Sequence, residues 1–149
     1  MSNDTSRIKI HDIEIIKGVN VPINSQELSS LEKWYNKVRG KYLFELTDGD
    51  VARFIRQNLY LEYLIPEAIT RLENSPLAGE LYNGEILSMM SNVNSSFWIE
   101  NIILREKVIA LLDKRFDSYS MEWEYEGEEK EFENSVIVFL DKLKKLNAN

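Results

Sequence analysis

The run Leu46-Thr-Asp-Gly-Asp-Val-Ala-Arg-Phe-Ile-Arg-Gln57, continued by Asn58-Leu-Tyr-Leu-Glu-Tyr-Leu-Ile-Pro-Glu-Ala-Ile-Thr-Arg-Leu72 and Ser75-Pro-Leu-Ala-Gly-Glu-Leu-Tyr-Asn-Gly-Glu-Ile-Leu87, decides the fold class. Thr47 is placed to cap a helix, because its hydroxyl can accept an orphan backbone N–H. Asp48 and Asp50 then fall in the first turn, where the helix dipole favours negative charge. Val51, Phe54 and Ile55 make the apolar face of that helix. Leu61, Leu64, Ile65, Ala68, Ile69 and Leu72 form a longer apolar stripe at helical spacing. Pro66 sits inside the stripe, and proline removes a donor and crowds the carbonyl four residues back. The pattern therefore predicts either a helix kinked at Pro66 or, the favoured reading, a helix starting near Leu64 with Pro66 in its first turn and residues 58–63 as a turn or helical lead-in. Asn74, Ser75 and Pro76 end it, Gly79 and Gly84 bracket a turn, and Glu85 to Met90 open a short helix.

Outward from this centre the reading stays mainly helical. Asn24 with Glu27, or Ser25, caps an expected helix whose face is Leu28, Leu31, Tyr35 and Val38, ending before Gly40. Downstream, Ser95 or Ser96 opens the longest expected helix, from residue 97 to about 116, with Trp98, Ile102, Arg105, Ile109, Leu112 and Phe116 on one face. Its apolar surface is broad enough for a central helix packed on more than one side. The last helix carries Phe132, Val136, Phe139, Leu140 and Leu143. Two stretches alternate instead. Residues 7–16 place Ile8 and Ile10, then Ile13 and Ile15, on shared faces, and Tyr119, Met121, Trp123 and Tyr125 alternate with polar residues. Both read as strands that pair into a small sheet. The expected fold is a single mainly α domain over residues 1–149 with that minor sheet.

Composition narrows the function classes. The chain of 149 residues has no cysteine, which removes thiolate nucleophiles, disulfides and Cys-based zinc sites and fits a reducing compartment. Its formal net charge is −7, so its surface repels nucleic-acid phosphates and attracts a basic protein. Residues 122–133 hold seven glutamates against one lysine, a local balance of −6. Charge runs usually face water. The functional alternative is an acidic dock in which Trp123 and Tyr125 add contact energy. The polar N-terminal residues do not read as a secretory signal, and no stretch is apolar enough to span a bilayer, so a cytoplasmic protein is expected.

Catalytic and metal patterns are weak. His11 is the only histidine and no nucleophile marks it as a base. Asp48 and Asp50 lack the spacing of a calcium loop, and helix capping accounts for both. Among 25 acidic residues some carboxylate pair always exists, so none is singled out. Residues 79–84 lack Walker spacing. No catalytic residue, metal or cofactor is assigned.

Leu46–Gln57, Tyr63-Leu-Ile-Pro-Glu-Ala-Ile69, Leu72, Pro76-Leu77 and Gly79-Glu-Leu-Tyr-Asn-Gly-Glu-Ile-Leu87 together resemble the immunity proteins of contact-dependent growth inhibition (CDI) systems. That pattern has a short helix ending in Arg-Gln, a Leu-Ile/Val-Pro-x-Ala helix, a Pro-Leu, an acidic Gly-x-x-Tyr segment and a Gly-Asp/Glu-Leu-Leu helix start. Leu31, Trp34 and Trp98 fall where the family places similar residues, and the likeness spans residue 26 to about 112. It implies a cytoplasmic, non-enzymatic inhibitor that binds stoichiometrically to the C-terminal toxin domain of a surface filament protein. Many such toxins are basic RNases or DNases, in keeping with an acidic inhibitor. It also implies that Pro66, Gly79 and Gly84 serve the scaffold. The expected toxin contact is Glu122, Trp123, Glu124, Tyr125, Glu126, Glu128 and Glu129, followed by Asp48, Asp50, Glu80 and Glu85. The competing readings are an adaptor domain with another protein partner and a carboxylate-dependent enzyme. Neither nucleic acid nor membrane is an expected partner.

Overall fold

A computed structural model describes residues 7–19, 29–114 and 122–146. These fall into two compact units, residues 1–47 and 48–149. Among the described residues there are eight α-helices and no strand, so the fold is mainly helical and the small sheet is not present.

In the first unit, α1 (Ile10–Lys17) occupies the stretch expected to be extended. Ile10, Ile13 and Glu14 are buried, while Ile15 and Ile16 are 66% and 62% exposed. The inner face thus follows the three- and four-residue step of a helix. It reads as alternation only because the third inward position is a glutamate. The Asp12 carboxylate accepts the Lys9 N–H at 3.1 Å to start the helix, and Gly18, at φ +67°, ends it. The one β-like feature among the described residues is an isolated bridge between Lys9 and Tyr42.

α2 (Ser30–Val38) begins later than the Asn24, Ser25 and Glu27 reading placed it, and residues 20–28, including Leu28, lie outside the described residues. Its cap is Ser29, whose Oγ accepts the Glu32 N–H at 3.1 Å while the Glu32 carboxylate accepts the Ser29 N–H at 3.0 Å. The Ser29 N–H, and after it the Ser29 side chain, hold the exposed Glu32 carboxyl below its ordinary range. A 3₁₀ turn over Leu43–Glu45 follows.

The second unit begins with α3 (Asp48–Arg56), which has Val51, Phe54 and Ile55 buried as its sequence predicts. Asn58, at φ +58°, turns the chain out of α3, and the Leu59 N–H returns to the Phe54 carbonyl at 2.9 Å. α4 (Leu61–Asn74) starts three residues before Leu64, so Pro66 lies inside the helix rather than in its first turn. Burial of Leu61, Leu64, Ile65, Ala68 and Leu72 offsets the defect. α5 (Glu85–Ser91) packs on α3 and α4.

The helix expected from residue 97 to about 116 is two: α6 (Ser95–Glu100) and α7 (Ile102–Asp113). At the break, Asn101 leaves helical geometry at φ −117° and ψ 66°. Its side-chain Nδ2 donates to the Phe97 carbonyl at 2.8 Å, beside the Asn101 N–H at 2.9 Å, and so closes the last turn of α6. Ile102 and Ile103 accordingly turn outward at 45% and 74% exposure, while Trp98, Val108 and Leu112 are fully buried. Phe116 lies outside the described residues. α7 packs against α4, α6 and α8 (Glu128–Lys144), so both α4 and α7 are central. The second expected strand is partly outside the described residues, at 119–121, and residues 122–125 are irregular. Gly127, at φ +93°, makes the turn into α8, on which Phe132, Val136, Phe139, Leu140 and Leu143 face inward.

Candidate protein-binding surface

The turn at residues 79–84 is built from below. A Cβ on Gly79 would stand 2.4 Å from the Tyr82 carbonyl and 2.6 Å from the Glu85 Cβ, so only glycine fits. Gly84 takes φ +82° at the start of α5. The Glu85 carboxylate, 2% exposed, accepts the N–H groups of Glu80 at 2.8 Å and Leu81 at 3.2 Å. Glu85 is thus the keystone of the turn and not open to a partner. Above it Leu81 and Tyr82 stand out at 73% and 46% exposure. The exposed Glu80 carboxylate reaches back to within 2.8 Å of where a Gly49 Cβ would lie, at the N-terminal end of α3. The dipole there favours that charge. Asp48, Asp50 and Glu80 are therefore gathered at one place. Asp48 also accepts from Arg71 Nη1 at 3.1 Å, and Arg71 Nε donates to the buried Glu67 at 2.8 Å.

The acidic segment has a similar division of labour. The Glu128 carboxylate is 8% exposed, accepts the Glu124 N–H at 2.6 Å and receives Asn83 Nδ2 at 3.3 Å. It pins the approach to α8 onto the 79–84 turn. Trp123 is half-buried against Phe132, ring centroids 5.8 Å apart. Glu122, Glu124, Glu126 and Glu129 are exposed, and Tyr125 is 57% exposed. The Tyr125 hydroxyl donates to Glu131 at 2.7 Å. That bond, then desolvation, then the charges of Glu131, Glu128 and Glu124 raise the phenol above its usual pKa.

The structure brings both expected groups to the second unit, on either side of the 79–84 turn, with Glu85 and Glu128 used internally. Sequence reasoning passed over Tyr82, Leu81 and Glu131. A signal for the first two was present: apolar residues at the tip of a glycine-bracketed turn have no core to enter. Of the three tryptophans, Trp98 is fully buried and Trp34 and Trp123 are half-buried.

His11, in the first unit, has Nδ1 3.0 Å from Glu14 Oε1. Glu14 is 2% exposed and also accepts from Tyr35 and Arg39, each at 2.5 Å. Burial alone pushes this carboxyl up. The hydrogen bonds from Tyr35, Arg39 and His11, with the Arg39 charge, outweigh it and hold Glu14 below the ordinary carboxylate range. Among the described residues no group of three or more His, Asp or Glu is placed to hold a metal ion, and no helix is long and apolar enough to cross a membrane.

A family model for CDI immunity proteins matches residues 15–108, well over half of the chain, and the protein belongs to that family. Membership carries with it a toxin as binding partner and inhibition of that toxin as role. No curated protein matches the chain.

Proposed function

We propose that this protein neutralises one cognate CDI toxin domain by stoichiometric binding in the cytoplasm, with no catalysis or cofactor of its own, and that the toxin is a basic nuclease. The family match over residues 15–108 carries the reading. The net charge of −7 supports the nuclease assignment. A nuclease needs a cationic cleft for phosphate, and an anionic inhibitor is steered into such a cleft at up to about 10⁸–10⁹ M⁻¹s⁻¹ at low salt. The contact surface we assign is the exposed set Glu122, Glu124, Glu126 and Glu129 with Trp123 and Tyr125, extended by Asp48, Asp50 and Glu80.

The test is co-purification with the toxin domain encoded beside it, followed by cleavage assays on tRNA and DNA. A one-to-one complex that stops cleavage is expected. Replacing Glu124, Glu126 and Glu129 with lysine leaves the fold intact, weakens the complex and slows its formation. A toxin that does not bind, or that cleaves neither nucleic acid, removes the corresponding part of the reading. Unchanged affinity in the triple variant removes the surface.

A further inference from the structure

Between the 79–84 turn, α5 and α8 lies a recess of about 170 Å³. Tyr82 and Tyr125 are among its lining residues, Glu128 and Glu131 line it from α8, and no lysine or arginine lines it. Several of its polar side chains spend a donor within the protein and keep acceptor capacity. The Tyr125 hydroxyl donates to Glu131, and Asn83 donates to Glu128. Ser91 Oγ donates to the Ser88 carbonyl at 2.7 Å, and Ser135 Oγ to the Glu131 carbonyl at 2.9 Å. Each hydroxyl is left with lone pairs, and the two carboxylates retain acceptor capacity. Two carboxylates in a lining without lysine or arginine favour a guest that brings donors and positive charge, and two tyrosine rings suit a flat cation.

We infer that this recess receives an arginine side chain of the cognate toxin, its guanidinium meeting Glu131 and the serine oxygens between the Tyr82 and Tyr125 rings. The inference rests on the toxin-binding reading above and adds to it a defined anchor point. Arginine presents five N–H donors in a fixed fork, which matches an acceptor-lined slot better than the point charge of lysine. Anchors of this kind, one cation in a pocket with an aromatic rim, dominate the binding energy of many interfaces.

The experiment is calorimetric titration of the full chain with the toxin domain encoded beside it, using the unaltered protein, Glu131→Gln, Tyr82→Ala and, as a charge control on α7, Glu106→Gln. Circular dichroism checks that each variant folds. Glu131→Gln and Tyr82→Ala should each weaken binding by about tenfold or more, the scale of a charge-assisted bond, with Glu106→Gln within about twofold. Tight binding by the unaltered chain with less than a twofold change in both recess variants overturns the recess and leaves the toxin reading standing. Equal losses in all three variants also overturn it, because general charge then suffices. No binding by the unaltered chain overturns the toxin reading itself, and the recess with it.

Discussion

At the scale of single residues, three buried glutamates do structural work that composition disguises as surface charge. Glu14 joins α1 to Tyr35 and Arg39, Glu85 ties down the 79–84 turn, and Glu128 holds residues 122–125 against α8. A sequence shows that a glutamate is present but not whether backbone N–H groups point at it. Hence Glu85 and Glu128 stood among the expected contact residues. Glu14, whose folded pKa is lowered, stabilises the native state fully above the ordinary carboxylate value of 4.5. That contribution is lost as pH falls through the folded pKa, because protonation then favours the unfolded chain. Urea melts of Glu14→Gln against the unaltered protein should show a deficit of about 1–3 kcal/mol at pH 7 that shrinks toward pH 3. The glycines make a second residue-scale prediction. Gly84→Ala places a side chain at φ +82° and should cost about 1–2 kcal/mol in the same assay. Gly79→Ala should cost more, since a backbone carbonyl has to move.

Among the elements, α3, α5, α8 and most of α4 were legible because each presents a run of apolar residues at helical steps next to a turn residue of defined chemistry. α1 was not, since Glu14 replaces an apolar residue at an inward position and β-branched isoleucines favour the extended reading. The break at Asn101 was hidden for a different reason: an asparagine between two apolar runs looks like an ordinary surface position until its amide is seen on the Phe97 carbonyl. Replacing Asn101 by alanine should lengthen the helical run, raising the far-ultraviolet helical signal. α4 tests the balance between packing and propensity. Pro66→Ala supplies a donor for the Glu62 carbonyl and should stabilise the protein by about 1 kcal/mol in denaturant melts. Arg71→Met leaves the Glu67 carboxylate, 5% exposed, without its partner and should cost on the order of 3 kcal/mol.

For the whole molecule, charge is the governing quantity. The chain carries a net −7, and nearly all of that sits within residues 122–133. Association with a cationic toxin should therefore slow markedly between 50 and about 500 mM salt, as screening shortens toward a Debye length of about 4 Å, while dissociation changes little. Stopped-flow measurement across that range checks it, and a salt-independent association rate would contradict a steered encounter. The location of this charge was visible in the chain. That Trp123 would pack on Phe132 and that Glu128 would be buried against Asn83 depended on chain approaches that no local pattern encodes.

The 79–84 turn is clamped at its base by a glycine that tolerates no side chain, a glutamate beneath it and a left-handed glycine at its exit, while Leu81 and Tyr82 point away. Such a bracket lets the most exposed side chain at its tip, Leu81, drift through mutation with little penalty to folding. Partner choice can thus diverge between lineages at that position on an unchanged frame, which also makes it a natural place to retarget the protein by grafting.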